Sequence, residues 1–329
     1  MAAERKGVVI AALAANVVIA MAKLAGGLLS GSVAMLAEAA HSVGDTVNEV
    51  FLYVSLGMGA RPADAEHPFG YGKERFFWAF LAAVFIFVAG AVFSIVEGVR
   101  ALVSPEDETD YLVAYAVLAV ALVAESVSLW RAVGHVRAEA HAAGRTMSEH
   151  LRLSKDPTVK VVAFEDSAAV VGVLVAGAAI VAHELTGDGR WDALGSIVIG
   201  GLLATVAIRL GRDTRDLLIG SAATPEQRAA IRAAVEAHDG VEQVIEVLTM
   251  AVGPDDLLVA VRADLRDDLT AGGVEEVASR IECDVRAAVP HVGQFFLDPT
   301  RSADAGQSHG PVRDLHRTGR ELERHPAAG

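Results

Sequence analysis

The sequence has little cysteine and no excess of basic residues. Its single cysteine, Cys283, excludes an intramolecular disulfide framework, a CxxC redox pair and a cysteine-based zinc finger. We expect a lone cysteine of this kind to be a small core residue. The formal net charge of −14 argues against a nucleic-acid partner, because phosphate contacts require clustered Lys and Arg.

Hydrophobic residues are abundant instead. They make up 53% of the 329 residues, and the mean hydropathy of +0.39 is typical of a membrane protein. Six apolar segments are each close to the roughly 20 residues that a helix needs to cross a bilayer. These segments are 8–30, 32–60, 76–99, 111–133, 159–181 and 191–208.

Basic residues near the segment ends predict the orientation. They precede the first segment and lie between the second and third and between the fourth and fifth, whereas the opposite connections hold only Arg100 and Arg190. An acidic run, 106–110, lies on one of those opposite connections. The positive-inside rule therefore predicts a multi-pass protein with both termini in the cytoplasm.

The pattern changes after the sixth segment. Thr224 and Pro225 predict the start of an amphipathic helix, as an N-cap followed by proline at the first helical position. The order that follows is strand, strand, helix and strand, predicted at 241–252, 257–265, 273–288 and 294–297. This order predicts a small α+β domain of the ferredoxin-like type.

The predicted fold class is therefore an α-helical membrane protein with six transmembrane helices, followed by a small cytoplasmic ferredoxin-like domain. The predicted division is a transmembrane domain at 1–212 and a cytoplasmic domain at 213–299. The polar stretch 300–329 is predicted to be a disordered tail.

Polar residues interrupt the second apolar segment at helical spacing. Glu38, His41, Asp45 and Asn48 lie three or four residues apart, so they share one face of a helix. Charged groups at this depth are costly and must face protein, water or an ion. An interhelical hydrogen-bond network is one explanation, but an aligned imidazole and carboxylate favour a functional site.

The fifth segment carries a second pair, Glu165 and Asp166, at a similar predicted depth. Imidazole and carboxylate together are the ligand set of zinc and related divalent ions. These ligands lose protons when they bind metal, so metal and protons compete for them. The two segments therefore predict a site that exchanges a divalent metal ion for protons.

These motifs resemble the cation diffusion facilitator family of divalent metal transporters. The resemblance rests on the six segments, on HisSerValGlyAsp at 41–45 and on the loop AspAlaGluHisProPheGlyTyrGlyLysGluArg at 64–75. It implies a homodimer in the inner (cytoplasmic) membrane that exports metal from the cytoplasm in exchange for protons by alternating access. Zinc is the expected cargo, with manganese, iron or cobalt as alternatives, and no prosthetic group is expected.

The resemblance also implies roles for single residues. His41 and Asp45 match the family's transport-site pair, and Asp166 matches the aspartate of the fifth span. Many zinc transporters have a histidine one turn before that aspartate, where this chain has Val162. Either Glu165 replaces the missing ligand, or a water molecule completes the coordination sphere.

The loop between the second and third segments resembles an accessory site. Zinc transporters of the family often use an aspartate and two histidines there; Asp64 and His67 match, whereas Tyr71 replaces the second histidine. A metal site and a purely structural loop are both open. The C-terminal domain lacks the family's histidine-rich cluster and is expected to serve as a dimer contact.

Two other classes of function remain possible from the residues alone. A membrane-anchored regulatory or metal-binding protein could use the same acids for packing and would show no transport. An intramembrane metallohydrolase would need an open metal position and an acid/base group, and the segments contain no HExxH or comparable motif. The prediction is therefore a transporter and not an enzyme.

Overall fold

The computed structural model describes residues 2–103, 110–142, 144–154 and 156–301. Ten α-helices, one π-helical segment and three strands lie in this part of the chain. The helices are α1 (Ala2–Ser30), α2 (Val33–Gly59), α3 (Glu74–Phe85), α4 (Phe93–Val103), α5 (Tyr111–Ala142), α6 (Met147–Leu153), α7 (Pro157–Thr186), α8 (Arg190–Ile219), α9 (Pro225–Glu236) and α10 (Ala271–Ala288). The strands are β1 (Val241–Gly253), β2 (Asp256–Leu265) and β3 (Val292–Pro299).

Contacts divide the chain into two units. One contains the residues up to Ser221 together with Ala251–Asp256, and the other contains Ala222–Met250 and the residues from Leu257 onward. Helices α1 to α8 belong to the first unit, which is a helical bundle. The predicted boundary between residues 212 and 213 falls inside α8, and most of the predicted tail, from residue 302, lies outside the described residues.

Every predicted apolar segment lies on a helix. Within the described residues, four helical stretches are long and apolar enough to cross a membrane: Glu74–Val103, Tyr111–Ala142, Lys160–Thr186 and Arg190–Ile219. A shorter apolar stretch, Asn16–Ser30, lies on α1. Helix α2 has 27 residues and is long enough to cross a membrane. It is not one of the four apolar stretches, because it carries the polar residues of the predicted site.

Several helices continue past the apolar segments that predict them. Helix α5 extends to Ala142 and α8 to Ile219, because backbone hydrogen bonding continues where the side chains become polar. Helix α6 has no counterpart in the predictions. The π-helical segment Ile86–Val92, which joins α3 to α4, lies inside the predicted segment 76–99, but its π-helical form was not predicted. The π-helical segment leaves no apolar or charge signal that a search for helical periodicity would detect.

A carboxylate from α8 fixes the start of α2. Asp192 accepts hydrogen bonds from the Ser32 hydroxyl at 2.8 Å and from the backbone N–H of Val33 at 2.5 Å. It also accepts one from the N–H of Ala34 at 3.3 Å. The first N–H groups of a helix have no partner within it and favour a negative charge. Buried Asp192 therefore attaches α2, which carries the polar stripe, to α8.

The second unit has the predicted order of elements. Thr224 caps α9 and forms a capping box with Gln227, and α9, β1, β2, α10 and β3 follow one another as the sequence indicates. The sheet order is β1-β2-β3, and β2 pairs in parallel with β3, with Val261 opposite Leu297.

The core of this unit follows from simple periodicities. Alternate residues of β2 are buried, as at Val259 and Val261, and residues one turn apart are buried on the helices, as at Ile281 and Val285 of α10.

Cys283 is exposed, so the expectation of a core cysteine was wrong. The helical period explains the difference. Ile281 and Val285 face the core of the unit, and the residue midway between them points to the opposite side of α10.

Exposed Cys283 should react with a water-soluble maleimide in the folded, detergent-solubilised chain. We expect one label per chain without denaturant, measured by intact mass, because the thiol lies on the polar face of α10. Cys283→Ser is the control and should take up no label. Labelling that requires denaturant would contradict the exposed position.

Candidate metal centre

The polar stripe of α2 is buried as a group. His41 is 2% exposed, and its Nδ1 lies 3.4 Å from Oδ1 of Asp45 one turn later. Neither ring nitrogen of His41 has a hydrogen-bond partner among the described residues, and Oδ1 of Asp45 is also without one. Buried polar atoms are normally hydrogen-bonded, so this pair retains capacity to bind a ligand.

Helix α7 brings the second predicted pair to α2. Asn48 donates its side-chain amide to Oε2 of buried Glu165, whereas Oε1 of Glu165 has no partner among the described residues. Asp166 is directed toward α5 and accepts a hydrogen bond from Ser128 at 3.1 Å. Adjacent acids on α7 therefore contact different helices, as their 100° separation around a helix requires.

One cavity of about 100 Å³ connects these elements. Three of the predicted ligands, Asp45, Glu165 and Asp166, line it, together with Val162. Its remaining lining residues are Asn16, Ile19, Ser42, Asn48, Glu49, Leu52, Glu125 and Ser128. His41 is not part of the wall, although its Nδ1 lies 3.4 Å from Oδ1 of Asp45, which lines it. The structure thus brings the sequence-predicted residues of α2 and α7 to one place.

The cavity is not a closed coordination sphere. Within the described ranges, no three His, Cys, Asp or Glu side chains are close enough together to hold a metal ion. The acids instead line a chamber with room for an ion and some water, since about 10–15 Å³ of such free space is enough to hold one water. Acids on α2, α5 and α7 can together bind a hydrated cation in this cavity.

Two cavity acids were not among the predicted ligands. Glu49 of α2 accepts a hydrogen bond from Asn16 of α1 at 2.7 Å, and Glu125 comes from α5. In the sequence, both could have been noticed as acidic residues inside an apolar segment. Sequence could not place either one on the cavity, because that requires knowing how α1 and α5 pack against α2.

The loop between α2 and α3 brings Asp64, His67 and Tyr71 together. Oδ1 of Asp64 accepts from the backbone N–H of Glu66 at 3.0 Å and of His67 at 2.8 Å, and Oδ2 accepts from the Tyr71 hydroxyl at 2.7 Å. Both oxygens of Asp64 therefore hold the loop together. These bonds give the loop a structural role that requires no metal.

The positively charged side chain of Arg61 lies beside this loop. The Arg61 guanidinium lies 4.0 Å from the centre of the Tyr71 ring and donates to the Tyr71 hydroxyl at 3.3 Å. A fixed positive charge beside the group that replaces the second histidine disfavours a divalent ion there. The accessory metal site at Asp64 and His67 stays a prediction, and the contacts favour the structural explanation.

Hydrogen bonds lower the pKa of Asp64, first the one from the Tyr71 hydroxyl and then that from the His67 backbone. The same bond raises the pKa of Tyr71. Because the pKa of Asp64 is lowered, these hydrogen bonds stabilise the loop fully at pH values above the ordinary aspartate pKa. That contribution is lost as the pH falls through the lowered value.

Replacing Tyr71 with phenylalanine should therefore raise the pKa of Asp64 toward its ordinary value. We expect to see this in the pH titration of isotope-labelled aspartate carboxyl resonances, assigned with Asp64→Asn. Tyr53→Phe, at an exposed tyrosine of α2, is the matched control and should leave the titration unchanged. An unchanged Asp64 pKa in Tyr71→Phe would contradict the role of this hydrogen bond.

Comparisons with known proteins identify the family of this chain. A family model described as a cation efflux transmembrane domain matches residues 9–219. The mitochondrial proton-coupled zinc antiporter SLC30A9 of Xenopus laevis is 32% identical over 246 residues, which are 75% of this chain and 44% of that protein. Metal tolerance protein C4 of Arabidopsis thaliana is 35% identical over 225 residues, 68% of this chain and 49% of that protein.

A bacterial relative matches over a longer range. The manganese efflux system protein MneP of Bacillus subtilis is 25% identical over 316 residues, which are 90% of this chain and 99% of that protein. The chain spans less than half the length of the Xenopus and Arabidopsis relatives. The family match covers the helices that build the cavity, and this chain belongs to the cation efflux, or cation diffusion facilitator, family of membrane transporters.

Proposed function

We propose that this protein exports a divalent metal ion from the cytoplasm in exchange for protons, with His41, Asp45, Glu165 and Asp166 as the transport site. The observation that carries the proposal is the shared cavity, which acids from α2 and α7 line together. Buried His41, whose Nδ1 lies 3.4 Å from Asp45, has both ring nitrogens without a hydrogen-bond partner among the described residues. These are oxygen and nitrogen ligands of the type that divalent metals use.

The same groups supply the exchange. Imidazole and carboxylates bind metal only after they lose their protons, so a proton entering the site weakens metal binding, and metal displaces protons. A site that opens alternately to each side of the membrane then couples metal flow to proton flow, because its ligands hold either the metal ion or protons. The direction of net transport follows from the proton gradient.

Zinc is the cargo that we propose, by analogy with the Xenopus antiporter named for it. Manganese is the first alternative, because MneP is named as a manganese efflux protein. Val162 carries no ligand, and five of the twelve residues that line the cavity carry carboxylates, which suit harder ions than imidazole does. Iron and cobalt are the remaining alternatives.

We infer the surrounding architecture from the family and the sequence together. The transport domain has six spans, both termini lie in the cytoplasm, and the protein is a homodimer of the inner membrane. The elements from α9 to β3 form a cytoplasmic ferredoxin-like domain that contributes to the dimer contact, and helices α1 to α8 form the transmembrane domain. A membrane-anchored binding protein without transport is the alternative, and it predicts no metal flux.

Replacing Asp45 with asparagine should reduce transport to the level of protein-free vesicles, because the site loses a ligand charge while the side-chain volume is kept. The measurement is metal uptake into proteoliposomes across a pH gradient, with zinc, manganese, iron and cobalt compared. Glu97→Gln, on α4 and paired locally with Arg100, is the matched control and should transport like the parent. Unaltered flux in Asp45→Asn would contradict this site.

Introducing histidine at position 162 should shift selectivity toward zinc. Val162 lines the cavity, so Val162→His adds an imidazole to a wall of oxygen donors, and imidazole suits zinc better than manganese. We expect the zinc-to-manganese ratio of uptake rates to rise about tenfold, a difference of ~1.4 kcal/mol. Val162→Leu changes the volume without adding a ligand and should keep the parent ratio. A histidine variant with the parent ratio would contradict the inward position of residue 162.

A further inference from the structure

A lysine is completely buried beside the candidate transport site. Lys23 of α1 has no exposed side-chain area, and its Nζ lies 3.1 Å from Oε2 of Glu38 and 3.1 Å from Oε1 of Glu125. The three residues come from α1, α2 and α5. Burying an ammonium group is costly unless carboxylates pair with it, and two of them do so here.

The two acids of this triad differ in their surroundings. Glu38 has no exposed side-chain area and does not line the cavity; it packs against Gly172 of α7, where a Cβ would collide with Oε1 of Glu38. Glu125 is 14% exposed and lines the cavity together with Asp45 and Asp166. Lys23 therefore holds one acid away from the cavity and the other at its wall.

Lys23 fixes the position of the Glu125 carboxylate. One of its oxygens accepts a hydrogen bond from the Lys23 ammonium, which also donates to Glu38. A carboxylate fixed in this way loses less conformational entropy when it binds an ion than a free one does. Among the described residues that line the cavity there is no Lys or Arg, so nothing on the cavity side neutralises Glu125.

Two other acids of the cavity wall have buried oxygens without a hydrogen-bond partner among the described residues. Glu165 is buried, lines the cavity and has an unpartnered Oε1 among the described residues; Asp45 has an unpartnered Oδ1. Both atoms belong to residues that share the chamber with Glu125. Unpaired buried acceptors that line a common cavity are the arrangement that a cation satisfies.

We propose that Glu125 is a further metal-binding residue of the transport cavity, supplied by α5 and held in place by the Lys23–Glu38 pair. It provides an oxygen donor in a site whose α7 turn carries Val162 in place of an imidazole. Lys23 and Glu38 are positioning residues that act through Glu125. This proposal rests on the proposed metal transport and adds a third helix to the site.

The test is equilibrium binding of Zn²⁺ and Mn²⁺ to the purified full chain, measured by calorimetry, with Glu125→Gln and Glu38→Gln compared. Both changes remove one negative charge from the same triad and keep an acceptor for Lys23. We expect Glu125→Gln to raise the metal Kd by at least about 10- to 100-fold, the range for losing a group that supports a metal ligand. Glu38→Gln should raise it by less than about threefold, because the glutamine still accepts a hydrogen bond from Lys23.

Equal weakening in the two variants would overturn the proposal, because the effect would then come from the charge of the triad as a whole. A Glu125→Gln variant that binds metal within twofold of the parent would overturn it as well. If Glu125→Gln does not fold, Glu125→Asp keeps the charge and withdraws it by one methylene. That variant should bind metal about tenfold more weakly than the parent, and its melting temperature should equal that of the parent.

The positioning role of Lys23 has its own measurement. The double variant Lys23→Gln, Glu38→Gln removes one positive and one negative charge, so the net charge of the triad is unchanged while Glu125 loses its anchor. We expect a Kd about tenfold higher at an unchanged melting temperature, and near-parent binding in Lys23→Arg. Parent-like binding in the double variant would overturn this role.

The proposed function fails in a different way. If the parent binds no metal and shows no flux, the transport proposal and this inference fail together. If the parent binds metal and Asp45→Asn does not, while Glu125→Gln binds like the parent, only the present inference fails. The two proposals are therefore separated by the Asp45→Asn measurement made beside the others.

Discussion

A charged side chain inside an apolar helical bundle must find a partner, and this requirement organises the first unit of the protein. Lys23 is paired with Glu38 and Glu125, Asn16 with Glu49, Asn48 with Glu165 and Ser128 with Asp166. Each pair joins two helices. Asp45 and Glu165 each keep an oxygen without a partner among the described residues, and both line the cavity that the candidate site occupies.

Much of this could be predicted from spacing alone. His41 and Asp45 are one helical turn apart whatever the helix packs against, so their proximity follows from the sequence. The same holds for the start of α9 at Thr224, where the capping box depends only on residues three apart. Features that repeat within one element are therefore accessible without a structure.

Features that depend on packing were not accessible. The partners of Lys23 are 15 and 102 residues away in the sequence, and no local pattern links them. Asp192 is 160 residues from the Ser32 hydroxyl that it accepts from. Cys283 was wrongly assigned to a core, although the period that buries Ile281 and Val285 would have exposed it. In that case the pattern was sufficient, and residue type was given too much weight.

The hydrogen bonds at Asp192 also restrict how α2 can move. Three donors at the beginning of α2 converge on one carboxylate of α8, so sliding α2 along its own axis stretches all of them together. Tilting α2 about that end changes their lengths little. His41, Asp45 and Asn48 lie progressively farther from this pivot, and a tilt therefore displaces each of them more than the one before it.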